Sequence, residues 1–213
     1  MPKQVSIYVD GFNLYHRILE TRPELKWLCL RTLFSKHVFP NNPIKRIKYF
    51  TAQVDPSQDF VSQRQARQRA YWDAITGTGV EIIKGRLVHR PRKCKASCGQ
   101  TYSTPSEKMS DVNLALHIYR DFDPADNDIT CVVSADLDVV PALRMLREEN
   151  PKCDIRAVIP TLEKDDFYWS RQADFGFVRM MSLDLEWLQK SKLPDKCKGK
   201  VDGKEISRPE TWH

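Results

Sequence analysis

The sequence predicts an α/β fold in which a mainly parallel sheet is covered by helices on both faces. Short β-branched runs such as ITCVV (129–133) alternate along the chain with amphipathic stretches, and this alternation favours βαβ connections. The runs are almost continuously apolar, which is typical of strands buried on both faces. With 213 residues, of which 41% are hydrophobic, the chain is long enough for one domain with a full-sized core.

Strands and helices can be placed along the chain from hydrophobic periodicity and from turn residues. The strands are predicted at 5–10, 44–54, 80–88, 129–133, 154–160 and 175–180. The helices are predicted at 11–20, 29–39, 57–76, 107–122, 136–149, 165–173 and 183–189, with Val112, Leu116 and Tyr119 on one stripe of the fourth and Leu114 and Ile118 beside it.

Two segments lack clear periodicity. Residues 89–106 are rich in Lys, Arg, Ser, Thr and Pro, and they predict a basic, cysteine-containing loop or an irregular hairpin. Residues 190–213 are polar and basic, with little that could pack, and they predict a C-terminal tail. The folded domain is therefore expected to span 1–189.

The composition argues against membrane and secreted classes. The sequence has no run of about 18 apolar residues, and its first residues, MPKQVSIYVD, lack the apolar core of a secretory signal. We therefore expect a cytoplasmic protein whose cysteines are reduced. Cys94 and Cys98 have the spacing of half a zinc site, but a complete site needs about four ligands, and only His89 and the distant Cys197 are available. The sequence favours free thiols over zinc at this pair.

The formal net charge of +6 suits a polyanionic partner without requiring one. Lys and Arg are concentrated in residues 84–95 and 190–204, and simple solvated faces explain such runs equally well. The candidate nucleic-acid contacts are Arg64, Arg67, Arg90, Arg92, Lys93 and Lys95.

Four aspartates are predicted to converge at one edge of the sheet. Asp10 ends the first strand, Asp136 and Asp138 follow the fourth, and Asp111 lies in the first turn of the preceding helix. Each alone has an ordinary explanation as a helix cap. Together they would repel one another unless protons or a cation neutralised them, and Mg²⁺ or Mn²⁺ is the usual cation for oxygen ligands. The pattern therefore predicts a divalent-metal site for phosphate chemistry.

Polar neighbours fit the same site. Gly11 allows a sharp turn after Asp10, and Asn13 can hydrogen-bond a ligand carboxylate or a phosphate, although a plain first-turn role explains it equally well. Ser134 could cap the following helix or orient an acid. Lys108 could meet phosphate oxygens as a point charge.

Three motifs, YVDGFNLY (8–15), EKMSDVNLA (107–115) and SADLDVVPAL (134–143), resemble the NYN domain of LabA-like proteins, a branch of the PIN-like nucleases. RQRAYWDAI followed by GVEIIKGRLV is similar to the middle of that family, so the resemblance covers about residues 4–182. It implies a three-layer α/β/α PIN-like fold and an acidic site. The site acids would be Asp10, Asp111, Asp136 and Asp138, with Asn13 as the family's asparagine and Ser134 as its serine.

The sequence departs from the family pattern only at spacers. Ala135 and Leu137 stand where a Gly and a small polar residue are expected, and Met109-Ser110 precede the helix acid. The cysteine pair is similar to one found before the helix motif in some relatives.

The favoured hypothesis is a metal-dependent endoribonuclease in which one or two Mg²⁺ or Mn²⁺ ions activate water for in-line attack on phosphorus. The choice of RNA over DNA follows from the resemblance, because no residue here identifies a 2′-hydroxyl. A catalytically idle RNA-binding or regulatory module of the same fold is the main alternative. A nucleotide-sugar glycosyltransferase that uses the D-L-D segment is a third, but it leaves Asp10 and Asp111 unexplained.

Overall fold

A computed structural model describes residues 2–53, 61–94, 98–125, 128–163, 176–199 and 203–212. The main sheet contains β1 (Val5–Asp10), β2 (Ile44–Ala52), β3 (Val80–Lys93), β4 (Thr101–Lys108), β5 (Ile129–Val133), β6 (Asp154–Ile159) and β7 (Arg179–Ser182). The helices are α1 (Gly11–Leu14), α2 (Leu30–Thr32), α3 (Val61–Gly77), α4 (Ser110–Asp121), α5 (Val140–Glu149) and α6 (Leu185–Lys190).

Shorter elements complete the described part of the chain. Helices α1 and α2 continue as π-helical turns at Tyr15–Leu19 and Leu33–Val38. Short 3-10 turns occur at Pro23–Leu25, Leu137–Val139 and Glu210–Trp212, and β8 (Lys196–Lys198) pairs with β9 (Glu205–Ser207). No helix in the described ranges is long and apolar enough to span a membrane.

The main sheet confirms the predicted fold class. Its strand order is β4-β3-β2-β1-β5-β6-β7, and every neighbouring pair is parallel except β3 and β4. The chain therefore builds outward from β1 in one direction and then, from β5, in the other. The strand order reverses between β1 and β5, where an open α/β sheet normally forms its ligand site.

The central strands are buried on both faces, as their continuous apolar runs predict. Every residue of β1 and β5 is buried. Val5, Ile7 and Val9 pack into one core cluster with Trp27 and Phe34, whereas the alternate residues of β1 face the opposite side of the sheet. On that opposite side a second cluster packs under α4 and α5, with Tyr8, Phe50, Val132 and Leu143 among its members. The two cores give the three-layer α/β/α arrangement.

The segment at 89–106, predicted as a loop or an irregular hairpin, forms a regular β-hairpin at its described residues, 89–94 and 98–106. Strand β3 runs on to Lys93 and pairs antiparallel with β4, from Arg86 opposite Lys108 to Lys93 opposite Thr101. Because this pairing occupies residues up to Lys108, the predicted helix at 107–122 begins only at Ser110. The last strand of the sheet is Arg179–Ser182 rather than 175–180. The helix predicted at 165–173 lies outside the described residues.

Helix α4 exposes its longer apolar stripe. Leu114 and Ile118 are buried, whereas Val112 and Leu116 are 62% and 60% exposed. Both stripes have helical spacing, so periodicity alone does not tell which of them faces the sheet. The position of α4 over β1 and β2 decides it.

The C-terminal segment packs on the domain at several described residues, so the expectation that it holds little that could pack is wrong. Leu193 is buried, and the Trp27 indole Nε1 donates a hydrogen bond to the Pro194 carbonyl at 2.8 Å. The Trp212 ring lies 6.1 Å from that of Trp27 and 6.2 Å from that of Tyr71, measured between centroids. Leu193 and Trp212 are isolated apolar residues in a polar segment, and therefore they leave no periodic signal.

Candidate active site

Asp10 is the buried anchor of the site. It ends β1 at the switch point, and only 6% of its surface is exposed. One carboxylate oxygen, Oδ1, accepts a hydrogen bond from the Asn13 backbone N–H at 2.9 Å, and the Ser134 hydroxyl donates to the other, Oδ2, at 2.9 Å. Desolvation by burial raises the pKa of Asp10 above its ordinary value, against the opposing effect of these two hydrogen bonds.

The loop after β5 is tied to Asp10 by a chain of short hydrogen bonds. The hydroxyl of Ser134 also accepts the Asp136 backbone N–H at 3.0 Å, and Asp136 Oδ1 accepts the Asp138 backbone N–H at 3.0 Å. From the other side, Asn13 Oδ1 accepts the Ala135 backbone N–H at 3.0 Å. The side chains of Asn13 and Ser134 therefore hydrogen-bond to protein groups, and these bonds hold the loop that carries two of the predicted acids.

Three carboxylates meet in front of this loop. Asp111, Asp136 and Asp138 each offer an oxygen, and the three oxygens lie within 4.8 Å of one another. The pKa of Asp111 is raised to about 6 by burial first and then by the negative charges of its neighbours, Asp10 among them. An all-oxygen donor set with uncompensated negative charge suits a hard divalent cation. This arrangement could hold a metal ion, and Asp10 lies behind it as a buried fourth acid.

Glu107 is a fifth acid that the sequence analysis missed. It belongs to β4, and its charge contributes to the raised pKa of both Asp10 and Asp111. Its Oε1 accepts the Ser110 backbone N–H at 2.9 Å and so caps α4. The usual sequence signal for a helix cap has the opposite order, with Ser or Thr first and Glu or Gln three residues later, so the prediction of a helix over 107–122 gave no sign of this contact.

The start of α4 is set by a sharp turn against β3. Met109 lies between β4 and α4 with φ of 81°, a left-handed conformation that is costly for a non-glycine residue and is often found at functional sites. Opposite the turn, a Cβ on Gly85 would lie 2.6 Å from Ser110 Oγ and 2.8 Å from Glu107 Oε1. The first turn of α4, with Asp111, therefore packs directly on the β3 backbone.

A buried ion pair holds the other end of α4. Lys48 Nζ of β2 lies 2.5 Å from Asp121 Oδ2, and these side chains are only 4% and 6% exposed. The Tyr8 hydroxyl donates to the same oxygen at 3.3 Å. Burial opposes ionisation of Asp121, but the contact with Lys48 and the charge of Arg46 hold its pKa below the ordinary value. Both ends of the helix that carries Asp111 are thus fixed to the sheet.

The family model of the NYN domain matches residues 4–168. The chain belongs to the NYN domain family. This is a nuclease-type family, in agreement with the resemblance in the three acidic motifs. The acids at Asp10, Asp111, Asp136 and Asp138 all lie inside the matched region.

A curated relative carries a different kind of name. The chain is 29% identical to "6-hydroxy-3-succinoylpyridine 3-monooxygenase HspA" of Pseudomonas putida (strain DSM 28022 / S16), over 100% of this chain and 76% of the relative. No solved structure gives a significant match to the chain.

The predicted basic residues of this NYN protein occupy two regions. Arg64 and Arg67 lie on α3 and line a cavity beside Gly11, the residue that follows Asp10. Lys108 and Lys93 are exposed on the β3–β4 hairpin. The side chains of Arg90 and Arg92, and the whole of Lys95, lie outside the described residues. Contact of any of these residues with nucleic acid stays a prediction.

The cysteine pair lies at the tip of the same hairpin. Cys94 donates its backbone N–H to the Gln100 carbonyl at 2.7 Å, and hydrogen bonds from Gln100 and Cys94 lower the pKa of the Cys98 thiol. Cys197, which we had considered as a further ligand, instead packs on the core beside Cys29. Among the described side chains, no third His, Cys or acid joins Cys94 and Cys98. The preference for free thiols stays a prediction.

Proposed function

We propose that this NYN protein is a divalent-metal-dependent endoribonuclease. The observation that carries the proposal is the meeting of Asp111, Asp136 and Asp138 within 4.8 Å, in front of the buried Asp10. Burial and the negative charges of four neighbouring acids raise the pKa of Asp111, so a bound cation would stabilise the ionised cluster. The family supplies the choice of phosphodiester hydrolysis, and the resemblance to LabA-like proteins supplies the choice of RNA.

Each site residue has a distinct part in the proposed reaction. Asp111, Asp136 and Asp138 would hold Mg²⁺ or Mn²⁺. When bound, such an ion lowers the pKa of a water that attacks phosphorus and neutralises charge on the leaving oxygen. Ser134 and Asn13 keep the acidic loop in place by the hydrogen bonds described above.

Cationic side chains would hold the RNA strand. Lys108 is exposed at the end of β4, one turn before Asp111. Arg64 and Arg67 lie on α3, which packs on the other face of the sheet from α4, and they line the cavity beside Gly11. Their charges would bind the phosphates that flank the scissile bond, whereas the acids would receive the scissile phosphate only with a metal ion between them.

The test is cleavage of a labelled single-stranded RNA by the full chain with Mg²⁺ or Mn²⁺. We expect products with a 5′-phosphate and a 3′-hydroxyl, loss of cleavage in EDTA, and loss of cleavage in Asp10→Asn and Asp136→Asn. Asp73→Asn, an exposed aspartate on α3, is the matched control and should cut at the native rate. Native rates in both site variants would refute the proposal. RNA binding without metal-dependent cleavage would identify the idle module instead.

The name of the P. putida relative gives a second candidate, oxygenation of a small aromatic acid. The aromatic and basic cavity beside Gly11 is the observation that favours it. Oxygen consumption with 6-hydroxy-3-succinoylpyridine and a two-electron reductant, measured on the same preparation, separates it from the nuclease.

A further inference from the structure

A small aromatic cavity lies beside the acidic site. It has a volume of about 220 Å³ and is enclosed by the turn after β1, by β2, by α3 and by Trp212. Pockets for drug-sized ligands usually exceed about 300 Å³, so this one suits a single ring system. Its walls carry the rings of Phe12, Tyr15, Tyr49, Tyr71, Trp72 and Trp212.

The deeper rings of the cavity are held rigidly. Tyr71 is buried, and its hydroxyl donates to the Leu28 carbonyl at 3.0 Å. The Tyr49 ring meets the Tyr71 ring edge-on at 6.2 Å, and the Trp212 ring does the same from the other side at 6.2 Å. A flat ligand would therefore enter a preformed slot and lose little energy in ordering the protein.

The charged side chains that line the cavity are basic, although Glu20 lies within the electrostatic reach of Lys26 and Arg64. Lys26, Arg64 and Arg67 line it, and none of its described lining residues is acidic. Lys26 Nζ lies 5.3 Å from the centre of the Tyr15 ring. In the described part of the chain Arg67 forms no ion pair, so its charge remains available to a ligand. This combination suits an aromatic ring that carries a negatively charged group.

The cavity and the acids share the turn after β1. Gly11 lines the cavity, and its neighbour Asp10 belongs to the acidic site. A Cβ on Gly11 would lie 2.5 Å from Tyr49 Cζ, so the turn packs tightly against the cavity wall. A chain of nucleotides is the aromatic polyanion that could occupy both places at once.

We propose that the cavity takes the base of one unpaired nucleotide of the RNA substrate, stacked on the ring of Tyr15, with the adjoining phosphate on Arg64 and Arg67. The proposal rests on the proposed nuclease function and specifies its substrate as single-stranded. A base in a duplex is already stacked and paired, and reaching the cavity would require it to leave the helix at a cost of a few kcal/mol. Because Trp212 lines the cavity, the C-terminal segment would contact the bound base.

The experiment measures binding, so that it does not depend on cleavage. The full chain is titrated with a fluorescent single-stranded oligoribonucleotide in EDTA, and the dissociation constant is followed against salt concentration. Tyr15→Leu removes the ring and keeps an apolar side chain, and Arg67→Gln removes the charge. Their matched controls are Tyr119→Leu, an exposed tyrosine on α4, and Arg69→Gln, an exposed arginine on α3 that does not line the cavity.

We expect Tyr15→Leu to weaken binding by about tenfold through loss of one stacking contact, and Arg67→Gln to weaken it through loss of one phosphate contact, while both controls bind like the wild type. Arg67→Gln should also lower the slope of log K against log salt by about 0.7, because one phosphate contact is lost. Tyr15→Leu should leave that slope unchanged. Binding of the same sequence as a duplex should not respond to Tyr15→Leu.

Native affinity in both cavity variants overturns the proposal, and so does a wild-type protein that fails to bind the strand. If 6-hydroxynicotinate quenches the tryptophan fluorescence while RNA binding is unchanged in the variants, the cavity takes a small aromatic acid and the proposal is likewise wrong. Failure of the cavity proposal can be distinguished from failure of the nuclease proposal. A protein that cuts RNA but binds it normally without Tyr15 refutes only the cavity, and one that binds through the cavity but never cuts refutes only the nuclease.

Discussion

Replacing Asp111 with Asn should stabilise the metal-free protein near neutral pH, contrary to the usual effect of a substitution at a helix start. The carboxylate of Asp111 is crowded by Asp10, Glu107, Asp136 and Asp138, and burial together with these charges raises its pKa from 3.8 to about 6. The ionised group is therefore at higher free energy in the folded protein than in the unfolded chain. Asn has the same shape and carries no charge.

The magnitude follows from the shift. A rise of about two pKa units corresponds to roughly 3 kcal/mol. The carboxylate of Asp111 is only partly desolvated, however, and much of the residue stays in contact with solvent, so screening reduces this to about 1 kcal/mol. Because the pKa is higher in the folded state, the folded protein holds the proton more tightly. The penalty is therefore absent below the unfolded pKa of 3.8 and complete above about 6.

Urea denaturation of the metal-free wild type and of Asp111→Asn, at about pH 3 and about pH 7.5, measures this effect. The substitution should be about 1 kcal/mol more stabilising at the higher pH. Asp73→Asn, the exposed aspartate on α3, controls for loss of a surface charge and should show no such dependence. An effect of Asp111→Asn that is independent of pH, or that is more stabilising at the lower pH, would refute the proposed crowding of charges.

Added Mn²⁺ should make the wild type more stable than Asp111→Asn. A cation that binds the folded wild type raises its stability by mass action, whereas the variant has lost one of three carboxylates and should gain less. The gain of the wild type should fall as the pH drops below about 6, since protons then compete for Asp111. Equal Mn²⁺ stabilisation of both proteins would place the ion elsewhere.

Three further substitutions test the scaffold. Lys48→Met leaves the Asp121 carboxylate buried without its closest cation and should lower the free energy of unfolding, measured with urea, by about 3 kcal/mol. Adding Asp121→Asn to this variant should restore part of the loss. Unchanged stability of Lys48→Met would contradict the ion pair. Gly85→Ala places a Cβ 2.6 Å from the Ser110 hydroxyl at the start of α4. It should lower the free energy of unfolding by about 1–3 kcal/mol and reduce the Mn²⁺-induced rise in Tm. Gly176→Ala, which has open space around its Cβ, should change neither quantity. Trp212→Ala should cost about 1–2 kcal/mol, and unchanged stability would show that the C-terminal segment does not pack in solution.

Sequence patterns are sufficient to predict the fold class and the edge of the sheet at which the acids lie. Strands such as β1 and β5 are apolar throughout, and only burial in a parallel sheet between helices accommodates such runs. Asp10 and Asp136 come directly after strands, and the carboxyl ends of parallel strands share one edge. Strand periodicity and chain order were therefore sufficient to place these acids together.

Which of these side chains come into contact depends on how the elements pack. Asp111, Asp136 and Asp138 converge within 4.8 Å, and Asp10 is buried beside them against Ser134, because β1 and β5 are neighbours and α4 lies over β1 and β2. Glu107 joins these acids only because β4 turns back along β3, a pairing that hydrophobic periodicity does not report.

The cavity beside Gly11 also depends on how distant segments pack together. Tyr15, Tyr71 and Trp212 are far apart in the chain, and each alone is an ordinary aromatic residue in its own segment. Local patterns in a sequence describe the neighbours that a residue has along its own helix or strand. Contacts between distant segments depend on how whole elements pack, and it is this packing that encloses the cavity.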